Sequence, residues 1–386
     1  FWVARMIMAG MEFMKEIPFK DVYFTSIIRD AKGRKMSKSL GNSPDPLDVI
    51  KEYGADALRF TITYIAPLGQ DVLFSTEKCE IGRNFANKIW NAARFLLMNA
   101  EEIETDENLK DKFVDSADRW IVSRFHRTVE KFESALDNFD ITGAAKIVYA
   151  YIWNDFCDWY LELIKTRLYS DDKEVRSAVL TRALSLFEEM LKLIHPFMPF
   201  LSEELWHALA KRAEGESISV SEFPKANPDL IDEAAEERIE LVKSIVTALR
   251  NIRGEMNIPP SQKINAIVTI SDLTDLQKGY IKSLAKLENL EAVESAQKPH
   301  GSASAVIPNG EIYVPLEGII DLEVEKKRLE KEIARLEGLV NGVNKKLANE
   351  NFVKRAPAEV VERERMKLKD WQTALERIKA LRNDLE

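Results

Sequence analysis

From Ser75 to Arg212 the apolar residues recur at steps of three and four, the period of helices that bury one face. Helices are expected at about Asp115 to Asn138, Thr142 to Tyr169, Lys173 to Ile194 and Pro199 to Arg212. On the first helix of this region Ile81, Phe85, Ile89 and Leu96 mark the buried face, while Arg83, Asn87, Asn91 and Arg94 line another. That second stripe suits phosphate and ribose contacts, and would equally suit a solvated face. Tyr149, Trp153, Phe156, Trp159 and Tyr160 are spaced for a bundle core better than for stacking unpaired bases.

The flanking stretches have other periods. Phe1 to Met14 reads as a helix ended near Pro18. The β-branched and aromatic run Asp21 to Ile28 is too short for a buried helix and reads as an interior parallel strand. Asp45 caps a helix with Pro46 at its first position, Gly54 ends it, and a second short helix runs from Ala55 to Ile65. Past Pro224 a helix is expected from Leu230 to Arg253. Strands follow at Lys263 to Ile270, Glu291 to Ser295, Ser304 to Ile307 and Glu311 to Pro315, with a helix from Asp275 to Lys286. Arg250, Arg253 and Lys263 would form a basic patch if they converge. From Leu322 the three-and-four alternation returns, breaks at Asn349 to Pro357, and resumes from Val361 to Leu385. This pattern predicts an antiparallel helical hairpin with arms about 40 Å long.

Between the early strand and the Asp45 helix lies Lys32-Gly33-Arg34-Lys35-Met36-Ser37-Lys38-Ser39, with Gly41-Asn42 behind it. Four cations on flexible stems, two hydroxyl donors and two glycines able to act as hinges suit a polyphosphate. Open α/β sheets bind ligands at the carboxyl ends of their strands, which is where this loop would stand.

Composition narrows the reading only slightly. The 386 residues are 45% apolar and 31% charged, an ordinary globular balance with room for two or three cores. The net charge of −9 excludes coating of nucleic acid by bulk electrostatics, so any RNA contact must be local. The last 66 residues hold 16 Lys and Arg against 14 Asp and Glu, a reversal of sign that fits an arm lying on RNA; a dimerisation or solvated helix pair is the alternative. Cys79 and Cys157 have no metal-ligand spacing, which points away from a zinc module or disulfide framework and towards a reducing cytoplasm. His195 reads as a packed helix-end histidine. No run is long and apolar enough to span a bilayer, so no membrane role is expected. The first residue is not Met and falls inside an amphipathic pattern, which reads as a cut through a longer polypeptide.

Lys35-Met36-Ser37-Lys38-Ser39 resembles the KMSKS signature of class I aminoacyl-tRNA synthetases. The surrounding Phe1-Trp2-Val3-Ala4-Arg5-Met6, Asp45-Pro46-Leu47-Asp48 and Tyr53-Gly54-Ala55-Asp56-Ala57-Leu58-Arg59-Phe60 resemble the valyl family in particular. His195-Pro196-Phe197-Met198-Pro199-Phe200 is similar to a hallmark of the anticodon-binding bundles of valyl, leucyl and isoleucyl enzymes, and the final hairpin resembles the valyl C-terminal arm.

The resemblance implies a mainly helical chain in four parts. Residues 1–76 would be the end of a Rossmann-type α/β catalytic domain, 77–225 an anticodon-binding helical bundle, 226–320 a small α/β module, and 321–386 an antiparallel coiled-coil arm. It further implies a monomeric cytoplasmic enzyme that uses ATP, with Mg2+ on the nucleotide and no protein metal site, to join valine to its tRNA. Lys35 and Lys38 would stabilise the departing pyrophosphate, with Met36, Ser37 and Ser39 also at the nucleotide and Lys38 the foremost contact. Arg83, Asn87, Asn91, Arg94, Arg250 and Arg253 are the candidate tRNA contacts. The family's His-x-Gly-His signature has no counterpart here, nor do most of the nucleotide-binding sheet and the editing domain, so the chain alone should catalyse nothing. Leucyl or isoleucyl kinship, or a free-standing RNA-binding scaffold, remain the alternatives. Isoleucyl enzymes typically carry a cysteine-ligated zinc module, and leucyl enzymes lack such a hairpin.

Overall fold

A computed structural model describes residues 1–66, 69–320, 322–349 and 357–384. They form a mainly helical chain with two small sheets, divided into compact units Phe1–Glu236 and Glu237–Glu386.

The first unit opens with α1 (Trp2–Ala9), continued by a π-helical turn to Met14. The parallel strand expected over Asp21 to Ile28 shrinks to β1 (Ile28–Arg29), paired with β2 (Val72–Leu73). A strand exists only where a neighbour takes its backbone groups, and β2 offers two residues. The short helices α2 (Pro46–Tyr53) and α3 (Ala55–Ile65) follow as expected, with Asp45 accepting from the Leu47 amide at 2.9 Å.

The bundle is built from α4 (Glu80–Glu102), α5 (Ser116–Asp137), α6 (Ile141–Ala150), α7 (Leu161–Leu168), α8 (Lys173–Ile194) and α9 (Pro199–Leu209). Between α6 and α7 the backbone is π-helical over Tyr151–Tyr160, so the single helix expected there carries a wide turn where its aromatic residues cluster. Phe156 and Tyr160 are fully buried; Tyr149 and Trp153 stack on each other at 5.4 Å, and Tyr149 meets Phe85 at 4.7 Å. α4 packs on α3 at Gly82, where a Cβ would come within 2.3 Å of the Ala57 carbonyl oxygen. The last helix stops at Leu209, short of the expected Arg212. Arg212 turns back, its Nε donating to the Trp206 carbonyl at 3.1 Å and its Nη2 to Glu188 at 2.8 Å.

A buried ionic cluster braces the bundle. Asp118 accepts from Arg167 at 2.5 Å, Arg182 at 3.0 Å and the Tyr160 hydroxyl at 2.9 Å. Burial opposes the charge of this carboxylate, and the two arginines outweigh it and hold its pKa below the ordinary value.

In the second unit α10 (Glu233–Glu255), most of which lies there, precedes a four-stranded sheet of order β4-β3-β6-β5, with β3 (Ile264–Val268), β4 (Leu287–Ala292), β5 (Ser302–Ile307) and β6 (Gly310–Pro315). α11 (Asp275–Ala285) is the crossover between parallel β3 and β4. The edge strand expected at Glu291 to Ser295 lies earlier, because pairing to β3 starts at Leu287 immediately after α11. α12 (Leu322–Ala348) and α13 (Ala358–Asp384) run antiparallel, tied by Glu337 to Lys379 at 2.6 Å, Glu330 to Arg382 at 3.6 Å and Glu364 to Lys346 at 3.2 Å. Of the expected break, Asn349 to Pro357, residues 350–356 lie outside the described residues, as does the last apolar position, Leu385.

Candidate nucleotide-binding loop

The basic loop leaves the carboxyl end of β1, and its floor is apolar. Met36 packs against the apolar cluster formed by Val49, Val72, Phe74 and Cys79, so the one apolar residue of the pentapeptide anchors the loop to the body beneath it. A cavity of about 320 Å³ opens beside it, lined by Asp30, Asn42, Ser43, Phe74, Thr76 and Glu77 among others.

Asp30, buried among exposed neighbours, organises the loop's base. Its carboxylate accepts from the Asn42 carboxamide at 3.0 Å, the Arg34 amide and Nε, both at 2.8 Å, and the Lys32 amide at 3.0 Å. These donors, that of Asn42 foremost, hold the carboxyl far below its ordinary pKa despite burial. Asn42 in turn accepts from the Ser37 amide at 2.9 Å and donates to the Lys35 carbonyl at 3.2 Å. Ser37 caps the short 3-10 turn Lys38–Leu40, its hydroxyl accepting from the Leu40 amide at 3.3 Å and lying 3.2 Å from that of Ser39.

Lys32, Lys35 and Lys38 are exposed, and among the described residues none has a carboxylate partner. Arg34 is the exception, being committed to Asp30 at 2.8 Å. Three exposed ammonium groups thus flank a hydrogen-bonded base, an arrangement able to receive a polyanion. Asp30 and Asn42 were not among the sequence candidates. They flank the glycine-bounded loop, Asp30 three residues before Gly33 and Asn42 directly after Gly41.

The remaining candidates divide. Arg83, Asn87, Asn91 and Arg94 do share a solvent-facing stripe of α4; Asn87, Asn91 and Arg94 are exposed, and Arg83 pairs with Glu80 at 3.2 Å and lies over the Tyr53 ring. The basic patch at 250–263 does not form. Arg253 is buried, its guanidinium donating to the carbonyls of Pro259 at 2.7 Å, Gln262 at 2.5 Å, Ala285 at 3.4 Å and Lys286 at 3.5 Å. Arg250 holds the Leu284 carbonyl at 3.1 Å and Lys263 pairs with Glu288 at 3.2 Å. The reason is local: α11 ends beside α10, and its last carbonyls need donors. His195 lies between two hydroxyls, Ser202 at 2.7 Å and Ser219 at 3.0 Å, and burial lowers its pKa. Asp56, from α3, accepts the Phe200 and Leu201 amides at the start of α9, and burial raises its pKa. Cys79 and Cys157 are both buried and free.

Three family models match successive parts of the chain. That for class I tRNA synthetases (I, L, M and V) matches residues 1–75, that for the anticodon-binding domain of tRNA ligase 118–269, and that for the valyl tRNA synthetase tRNA binding arm 321–386. The valine--tRNA ligase of Chlorobaculum tepidum is 46% identical over 386 residues, covering 96% of this chain and 43% of that protein. That of Fusobacterium nucleatum is 43% identical over 388 residues, covering 98% and 44%. The chain thus spans less than half the length of these relatives. A solved Agrobacterium radiobacter LeuRS, in a ternary complex with tRNA and LeuAMS, matches 60% of this chain and 27% of its own with 21% identity and a TM-score of 0.46. Identity of this order through nearly the whole chain makes it a homologue of the valine--tRNA ligases, within the class I synthetases.

Proposed function

We propose that this chain acts within a valine--tRNA ligase of the length of its relatives, a monomeric cytoplasmic enzyme that forms valyl-adenylate and pyrophosphate from valine and ATP and then passes the valyl group to its tRNA. The observation that carries the reading is the pair of exposed, uncompensated ammonium groups, Lys35 and Lys38, on a loop braced by Asp30 and Asn42 at the end of β1. Two unit charges about 4 Å apart at an effective dielectric near 20 are worth roughly 4 kcal/mol, enough to matter when negative charge develops on a leaving pyrophosphate. Mg2+ would travel with the nucleotide.

The rest of the chain supplies tRNA contacts in this reading. The bundle, 77–225, would take the anticodon stem and loop, with Arg83, Asn87, Asn91 and Arg94 of α4 as its outward polar stripe. The α/β module, 226–320, would join it to the coiled-coil arm, 321–386, which braces the outer part of the tRNA. The test is valine-dependent ATP–pyrophosphate exchange by the full-length enzyme. Lys38→Ala should lower the rate by about two to three decades without altering thermal stability. An unchanged rate removes the loop from the mechanism.

A further inference from the structure

Gly33 and Gly41, expected to act as hinges, are used differently. Both have positive φ, 76° and 62°, at turns closed by hydrogen bonds: the Gly33 amide donates to the Asp30 carbonyl at 2.9 Å and that of Gly41 to Lys38 at 3.2 Å. The left-handed conformation is spent on tight turns. Between them the backbone is gripped from within by one side chain. Asn42 accepts from the Ser37 amide and donates to both the Lys35 carbonyl and Asp30. Residues 35 to 42 therefore form a closed ring, with Lys35 at its base, Lys38 within the 3-10 turn opposite and the Asn42 side chain as the bar across it.

We propose that Asn42 is a positioning residue: its carboxamide, seated on Asp30, closes residues 35–42 into a single body, so that Lys35 and Lys38 meet an anionic ligand as one preorganised unit. This rests on the phosphate reading of the loop given above. The chemistry explains why an amide stands there. The bar needs one acceptor for an N–H and donors for a carboxylate and a carbonyl, all on a short stem. Alanine offers neither. An ionised aspartate keeps the acceptor but loses the donors and sets two carboxylates together; once protonated it regains a donor. The charged groups at this point are Arg34 on Asp30 and Glu77 across the cavity; Lys32 and Lys35 meet it through backbone groups with their side chains exposed, and Arg29 is engaged by Asp71.

The test is exchange kinetics in the full-length enzyme. Asn42→Ala should lower kcat by about 10²-fold while the KM for ATP changes little, because alignment rather than contact is lost. Asn42→Asp should be as impaired at about pH 8 and recover as the pH falls toward about 6, a limb that the wild type lacks. Ser43→Asp adds the same charge one residue on, outside the ring, and should show no such limb. Wild-type kcat in Asn42→Ala, or the same acid recovery in Ser43→Asp, overturns the proposal. A wild type without valine-dependent exchange refutes the functional reading instead. The ring is then decided by hydrogen exchange on this chain, where Asn42→Ala should release the Ser37 amide at an unchanged melting temperature. Equal Ser37 protection in both proteins overturns it.

Discussion

Two basic stretches look alike in the sequence and do opposite work in the fold. Lys32 to Lys38 and Arg250 to Lys263 each gather cations near a glycine and a turn. In the first, one carboxylate, Asp30, takes up a single guanidinium and the loop amides, and three lysines remain exposed. In the second, Arg253 is buried with four carbonyl partners, Arg250 holds a fifth, and Lys263 meets Glu288. What separates them is where backbone groups go short of partners. The loop satisfies its own backbone through Asp30 and Asn42 and leaves its lysines free. The end of α11 leaves carbonyls that the arginines must satisfy.

The contrast predicts a ranking in which buried ionic groups govern stability and exposed ones govern binding. Removing a carboxylate that two buried arginines share should cost most: Asp118→Ala is expected to destabilise the bundle by about 3–5 kcal/mol in denaturant unfolding. Next comes Arg253→Met, which strands carbonyls of the α/β module and should cost about 1.5–3 kcal/mol. A drop in tRNA affinity without any loss of stability in that variant would put Arg253 back among the RNA contacts. Acid should then separate two groups. His195 is half-buried with its pKa lowered by that burial, so its contribution is present above about pH 6.5 and is lost as the pH falls below it. Asp30 is depressed far below its ordinary value, so its contribution persists above about pH 4 and is lost only below it. Hydrogen exchange should therefore show the α8–α9 junction loosening before the Lys32 and Arg34 amides do. Smallest is Arg94→Ala, expected to leave stability within about 0.5 kcal/mol while lowering the salt slope of tRNA binding by about one.

Much of this architecture was legible. Three-and-four spacing placed α8 at its observed limits, Asp45-Pro46 and Gly54 bounded α2, and of the aromatic run Phe156 and Tyr160 lie in the bundle core as their spacing suggests, with Tyr149, Trp153 and Trp159 half-buried at its margin. These features depend on neighbours within a turn or two of the chain. The run Asp21 to Ile28 shows where such reasoning stops. Its composition favours a strand, but the strand pairing is confined to Ile28 and Arg29, with Val72 and Leu73 some forty residues on. In the loop the lysines were evident and their supports were not. Nothing in a list of residue types marks Asp30 as the acceptor of four hydrogen bonds or Asn42 as a bar across a ring.

Local periodicity, caps and turn residues determined where the helices begin and which faces they bury, because those preferences act within a few residues. The homology that runs through the chain was likewise present in the order of residues. Which cations stay in water, which are spent on stranded carbonyls, and which glycine is a turn rather than a hinge were decided only when distant segments met. Each of those outcomes depends on whether a backbone group finds a partner, and partners are assigned by the tertiary structure.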